Sequence, residues 1–198
     1  MTRNGAMASE ALTGGFEDAP RQSARAFRAA LEVMARPGEV QKLGDLGAAP
    51  APVSPAAATL LLVLCDPETP VHLAGDHDRP EVRDWITFHC GAPLVARGEA
   101  AFGLGTWEAL GDLGQYAIGT AEYPDRSATL IVDGAFAAQP VTLVGPGIKE
   151  SRRAELPAVG PFQANRALFP LGLDFYFCDG ATLWALPRTT RVAEGELA

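Results

Sequence analysis

The sequence contains very little lysine. Lys42 and Lys149 stand against fourteen arginines. A pyridoxal-phosphate enzyme needs a buried lysine amine to form its Schiff base. Lys42 follows a Pro-Gly turn in polar sequence, and Lys149 stands beside Glu150 after a Gly-Pro-Gly turn. Neither position has the apolar surroundings of a cofactor lysine, so the sequence predicts that this chain binds no cofactor of that class.

Cysteine is also scarce. Cys65, Cys90 and Cys178 are scattered without a CxxC spacing, which argues against a disulfide framework and against a zinc site. We expect all three to be small buried apolar side chains.

No hydrophobic run is long enough for a membrane span. The longest, Pro55–Cys65, falls far short of the roughly 18 residues required. Met1–Thr13 lacks the apolar centre of a secretory signal, and we expect it to be a disordered leader. A cytoplasmic, soluble protein is the resulting expectation.

The charge balance is acidic, with a net charge of −8 over 198 residues. Such a chain has no general attraction for nucleic acid or anionic lipid, so bound phosphate would need a local cluster of donors. The length suits a single domain, which we place at residues 14–198.

Several common catalytic motifs are absent. The sequence has no GxxxxGK[ST], no GxSxG and no HExxH. Gly145-Pro146-Gly147 is a lone GxG triplet, and its proline is too bulky for a dinucleotide loop. A metal site could be imagined at four neighbouring side chains, His72, Asp76, His77 and Asp78. The segment GDHDRP, however, is more typical of a solvated loop that precedes a helix.

Three helices are predicted in the first half. The first has Asp18 as its cap and one apolar face; the second begins at Ser54 and is apolar nearly all round; the third has Asp78 as its cap and ends at Gly91. The predicted face of the first helix consists of Ala24, Phe27, Leu31 and Met34.

Strands alternate with helices along much of the chain. Asp179-Gly180 predicts a type I′ turn in a C-terminal hairpin of Leu173–Cys178 and Thr182–Leu186. The alternation favours the α/β class, with a mixed layered sheet and flanking helices. The other predicted elements are strands at Val71–Ala74, Leu94–Ala96, Ala101–Leu104, Ala128–Val132 and Val141–Val144, and helices at Thr106–Leu113 and Phe162–Leu168.

A series of sequence blocks resembles one family, the H subunits of the bacterial carbon–phosphorus lyase system. No single block is specific, but together they follow the order of that family over nearly the whole chain after residue 13. The blocks are Gly14-Gly15-Phe16, AFRAALEVMARPG at 26–38, LLVLCDPETPV at 61–71, FHCGAPLV at 88–95, GTAEYPDRSATLI at 119–131, VTLVGPGI at 141–148, FPLGLDFYFC at 169–178 and LPRTTRV at 186–192.

The resemblance implies a fold similar to that of pyridoxal-phosphate-dependent transferases without the cofactor site. It also implies a homodimer that joins the G, I and J subunits in a core complex for phosphonate catabolism. In that system the G, H, I and L proteins displace adenine from ATP with an alkylphosphonate, giving α-D-ribose 1-alkylphosphonate 5-triphosphate. ATP and alkylphosphonate would be substrates of the complex, and the H subunit has no assigned catalytic residue.

Arginines are the first candidates for substrate contact because they grip phosphonate oxygens bidentately. Arg36 ends the first helix, and Arg188-Thr189 follows the last hairpin strand. The alternative for Arg188 is a structural ion pair with Asp174 that fixes the C-terminal strand.

Three acidic or imidazole side chains are further candidates. Asp66 and Glu68 could form a carboxylate pair, although Asp before Pro more often shapes a turn. His89 could be a general acid or base, or a hydrogen-bonded core histidine.

Two functions from different classes therefore remain open. One is an assisting subunit without chemistry of its own. The other is a self-sufficient small enzyme whose phosphate pocket would bring Arg36 or Arg188 together with Asp66 or His89.

Overall fold

The computed structural model describes residues 13–43 and 47–195. The predicted leader therefore lies outside the described residues except for Thr13. We number the elements in chain order: α1 (Ala19–Ala35), β1 (Gln41–Lys42), α2 (Pro55–Leu64), β2 (Val71–Leu73), α3 (Pro80–His89), β3 (Phe102–Gly105), α4 (Trp107–Leu110), β4 (Thr129–Asp133), β5 (Gln139–Val144), β6 (Arg152–Leu156), α5 (Gly160–Ala167), β7 (Asp174–Asp179), β8 (Thr182–Leu186) and β9 (Arg191–Glu194).

A six-stranded mixed sheet forms the centre of the fold, in the order β1-β8-β7-β4-β3-β2. Strands β2, β3, β4 and β7 are parallel, while β8 and β1 run antiparallel to their neighbours. The carboxyl ends of the four parallel strands therefore meet at one edge, where open α/β sheets usually bind ligands.

Both faces of this sheet are covered. Helices α1, α2 and α3 pack on one face, in a core that includes Trp85, Ile86 and Ile131. On the other face, Phe162 of α5 packs against Phe175 and Phe177 of the sheet. This face also carries a small antiparallel sheet in the order β6-β5-β9. The layered α/β class predicted from the sequence is confirmed.

Helix α2 illustrates how the local sequence fixes an element. Ser54 accepts a hydrogen bond from the backbone N–H of Ala57 at 3.2 Å, and Pro55 occupies the first turn, where no N–H is needed. The helix is buried over most of its length, as its nearly continuous apolar sequence predicts.

The predicted apolar face of α1 is wrong except at Met34, which is partly buried against the core. The buried residues of α1 are Ala26, Ala30 and Val33, whereas Phe27 is 46% exposed and Leu31 is 55% exposed. Small residues on the buried face let α1 approach the alanine-rich α2 and the sheet closely, and the hydroxyl of Tyr176 reaches the carbonyl of Ala30 at 3.3 Å. Close packing of the α1 backbone therefore decides which face of the helix is buried, even though larger apolar side chains lie on the other face.

Of the two predicted aspartate caps, Asp18 is right in position and Asp78 is wrong. Asp18 occupies the cap position of α1, but its side chain accepts no capping hydrogen bond. The residue that precedes α3 is Arg79, and the carboxylate of Asp78 instead binds the guanidinium of Arg83, with Nη2 and Oδ2 at 2.9 Å.

Other boundaries differ more modestly. The two-residue loop of the C-terminal hairpin is Gly180-Ala181, because Asp179 pairs with Thr182. Only Gly180 has a positive φ, of 55°, which fits a type II′ turn better than the predicted type I′. Strands β6 and β9 have no counterpart in the sequence prediction, and Leu94 forms only an isolated bridge to Val71. None of the helices within residues 13–43 and 47–195 combines the length and apolar character of a membrane span.

Candidate functional site

Arg188 and Asp174 form the most extensively bonded ion pair of the described structure. Asp174 begins β7 and Arg188 follows β8, so the antiparallel pairing of these strands brings them together. The Nη2 of Arg188 lies 2.5 Å from Oδ2 of Asp174, its Nε lies 3.2 Å from each carboxylate oxygen, and its backbone N–H donates to Oδ1 at 2.7 Å. The structure therefore shows the second alternative for Arg188, an ion pair with Asp174 that fixes the C-terminal strand.

The remaining donors of Arg188 hold a distant loop. Nη1 donates to the carbonyl of Pro124 at 2.8 Å, and Nη2 also contacts the hydroxyl of Ser127. Its neighbour Thr189 contributes a carbonyl that accepts from Nε of Arg166 at 3.2 Å. Nε, both N–H groups of Nη2 and one N–H group of Nη1 thus have internal acceptors. The single N–H group left on Nη1 cannot grip a phosphonate bidentately, because that requires two donors.

Arg36 lies at the end of α1, as predicted. Its guanidinium is 2.9 Å from Glu32 and 3.8 Å from Glu39, and its side chain is 56% exposed. Glu39 in turn lies 3.1 Å from Arg152 of β6. Arg36 therefore belongs to a solvent-exposed charge network between α1 and the small sheet, where each pair contributes little to stability.

Asp66 shapes the turn after α2. Its Oδ1 accepts from the backbone N–H of Glu68 at 2.9 Å and from the hydroxyl of Thr69 at 2.6 Å. These bonds, first from Thr69 and then from Glu68, hold the pKa of Asp66 below its usual range. The turn interpretation is confirmed, and Glu68 takes part in this turn through its backbone N–H.

His89 lies at the end of α3 among aromatic rings. Its ring centroid is 4.9 Å from those of Trp85 and Phe88, and a Cβ added to Gly15 would lie only 2.9 Å from its Nδ1. Nε2 is buried and has no hydrogen-bond partner within the described residues. The alternative of a hydrogen-bonded core histidine is therefore only half right, because His89 is partly buried and its buried Nε2 has no partner among the described residues.

A buried polar cluster that sequence reasoning missed lies at the carboxyl edge of the main sheet. Nε2 of His77 is 3.0 Å from Oδ2 of Asp133, the last residue of β4, and both residues are only 2% exposed. The same Oδ2 accepts from the backbone N–H of Ser54 at 2.9 Å. His77 is therefore not part of a solvated loop, as GDHDRP had suggested.

This cluster resembles a catalytic dyad in composition but is closed to solvent. Nδ1 of His77 and Oδ1 of Asp133 are buried without a partner among the described residues. A general base must reach a substrate proton within about 3 Å or through one water. With both side chains enclosed, the geometry supports anchoring of the start of α2 and not proton transfer to a ligand.

The three cysteines are free and buried, as predicted. Burial raises the pKa of Cys90 to about 12 and raises the pKa of Cys65 and of Cys178 well above the usual value. In Cys178 the neighbouring Asp133 adds to this effect. All three thiols are consequently protonated at neutral pH and behave as small apolar side chains.

The candidate residues do not converge. Within the described part of the chain, no hydrogen bond or ion pair joins Arg188 or Arg36 to Asp66, Glu68 or His89, and no group of three or more His, Cys, Asp or Glu side chains could hold a metal ion. Both lysines are exposed to solvent.

Comparison with known proteins covers nearly all of this fold. Residues 14–193 match the family model described as bacterial phosphonate metabolism protein (PhnH). The chain is 36% identical over 193 residues, 93% of this chain and 96% of the relative, to the alpha-D-ribose 1-methylphosphonate 5-triphosphate synthase subunit PhnH of Rhizobium meliloti (strain 1021). By both measures, the protein belongs to the PhnH family of bacterial phosphonate metabolism proteins.

Proposed function

We propose that this chain is an assisting subunit of a multi-subunit synthase that displaces adenine from ATP with an alkylphosphonate. The likeness to a synthase subunit extends over 93% of the chain and therefore includes every element that positions the candidate residues. The product of the complete enzyme would be an α-D-ribose 1-alkylphosphonate 5-triphosphate. In this proposal the chain supplies a surface to its partners and no catalytic group of its own.

One observation favours an assisting role over a self-sufficient enzyme. Arg188 is the candidate side chain best suited to bind a phosphonate, but it donates its hydrogen bonds to Asp174, Pro124 and Ser127. A bidentate grip on a substrate would require breaking some of these bonds and weakening the pairing of Asp174, whose side chain is 21% exposed.

A more specific fold can be proposed within the layered α/β class. We infer that the body is similar to that of pyridoxal-phosphate-dependent transferases and that the chain binds no such cofactor. The exposure of Lys42 and Lys149 supports this inference, because a Schiff-base lysine acts from a desolvated position.

A homodimer that joins G, I and J subunits in the cytoplasm completes the proposal. Its structural support is an apolar stripe on the outer face of α1, formed by the exposed Ala24, Phe27 and Leu31 at helical spacing. Contiguous exposed apolar surface of this kind is typical of sites where proteins contact one another.

The stripe provides a test of self-association. In the double variant Phe27→Gln/Leu31→Gln we expect the dimer dissociation constant, measured by sedimentation equilibrium, to rise about 100-fold, since two central apolar contacts are lost. The melting temperature of the chain should stay unchanged apart from the dimer contribution, because both side chains lie outside the core.

Phe88→Gln serves as the matched control, because Phe88 is 57% exposed but belongs to α3. Equal dimer stability in the wild type and in the α1 variant would exclude the stripe from the dimer contact.

The subunit proposal is tested by co-expression with the G and I subunits from the same organism. We expect the three chains to elute together from a size-exclusion column at fixed stoichiometry. A chain that elutes alone, while G and I remain together, would overturn the proposal.

A further inference from the structure

A recess opens where β4 and β7 end, at the carboxyl edge of the main sheet. Residues Gly134–Phe136 leave β4 on one side, and Cys178 and Asp179 end β7 on the other. The cavity has a volume of about 290 Å³. Small-molecule sites usually enclose about 300–1,000 Å³, so this space suits a single side chain better than a nucleotide.

Aromatic rings form much of the wall of this recess. Trp184 of β8 stacks on Phe177 of β7 with ring centroids 4.1 Å apart and an interplanar angle of 10°. Phe136 meets Phe177 at 5.7 Å in an edge-to-face arrangement. Phe177 is buried beneath these rings, so the partly exposed Phe136 and Trp184 are the rings that could offer a negative face to a cation within about 6 Å.

The charge of the recess is acidic. Glu155 of β6 and Asp179 of β7 contribute exposed carboxylates, and the described residues that line the cavity include no arginine, lysine or histidine. Within the described residues, neither carboxylate takes part in an ion pair. A phosphonate or triphosphate would meet repulsion here, whereas a cation would find two free partners.

A guanidinium group fits these features better than an ammonium group. It is planar and weakly hydrated, stacks on aromatic rings and binds carboxylates in a forked geometry. Val40, which is 63% exposed, also lines the recess and would offer an apolar contact to a chain that carries the arginine.

We propose that this recess binds an arginine side chain presented by a partner subunit of the assembly. The inference rests on the proposed function, because it places one contact of that complex on this surface. The recess is thereby a docking point for a basic segment and not a substrate site.

The test compares charge variants of the chain for binding to the co-expressed G and I subunits. In Glu155→Gln/Asp179→Asn, we expect the dissociation constant to rise at least about tenfold, because two ion-pair partners of the cation are lost. Asp84→Asn/Glu99→Asn is the control, since it removes the same net charge from exposed positions outside the recess.

A variant at Lys42 distinguishes a cationic occupant of the recess from an anionic one. Lys42 is exposed and lies opposite Thr182, one of the recess residues, in the strand register. Lys42→Gln should leave binding equal or slightly stronger if the occupant is cationic. Weaker binding of Lys42→Gln together with unchanged binding of Glu155→Gln/Asp179→Asn would overturn the proposal.

A second arm keeps the two proposals distinguishable. If wild-type protein binds the partners and the recess variant binds equally well, the arginine site is wrong and the subunit role stands. If wild-type protein binds no partner, the subunit role fails, and the recess is then judged by titration with N-acetyl-L-arginine amide. We expect the indole N–H resonance of Trp184 to shift in the wild type and not in Glu155→Gln/Asp179→Asn; no shift in the wild type would refute the site.

Discussion

Arg188→Ala should lower the free energy of unfolding by about 3 kcal/mol, because it strands the carboxylate of Asp174 in a half-buried position. The same change releases Pro124 and Ser127, so the loop before β4 loses its attachment to the C-terminal hairpin. For a chain of this length the melting temperature should fall by roughly 6–12 °C. Thermal and urea unfolding of the purified chain measure both quantities.

One control variant and one binding measurement separate a structural arginine from a substrate-binding one. Arg28→Ala, at an exposed position of α1, should change stability by less than about 0.5 kcal/mol. In Arg188→Ala, loss of binding to methylphosphonate or ATP without loss of stability would favour the self-sufficient enzyme and contradict the structural role.

Asp133→Ala should be similarly destabilising, by about 3 kcal/mol. The substitution leaves Nε2 of His77 and the backbone N–H of Ser54 without their acceptor inside the core. Because Ser54 caps α2, the start of that helix should loosen first, which hydrogen exchange of the N-terminal turn of α2 would detect.

A double-mutant cycle with His77→Ala isolates the contact itself. We expect the combined variant to cost less than the sum of the two single changes, since each removes the same hydrogen bond. Asp125→Ala, at an exposed position, is the control. Strict additivity of the two single variants, or a cost for Asp133→Ala equal to that of Asp125→Ala, would show that the buried pair contributes no stability.

The sequence anticipated contacts that are local or carried by a neighbouring strand pair. Asp174 and Arg188 flank a hairpin whose turn and alternation are visible in the sequence, so their pairing could be predicted. The turn at Asp66 and the start of α2 at Ser54 depend on a few adjacent residues and were predicted for the same reason.

Contacts between distant segments could not be found in this way. His77 and Asp133 are 56 positions apart and meet only because β2, β3 and β4 align in parallel. The buried face of α1 is set by close backbone approach at Ala26 and Ala30. A prediction from apolar periodicity instead selects large side chains such as Phe27 and Leu31. The family membership, by contrast, followed from sequence blocks spread over the chain and is confirmed.

Release of adenine from ATP in the presence of methylphosphonate tests the assisting role most directly. An assisting subunit predicts no adenine from the purified chain alone, release from the reconstituted G, H, I and L proteins, and loss of that release when this chain is left out. Adenine produced by the isolated chain, or undiminished release in its absence, would contradict the role proposed for it.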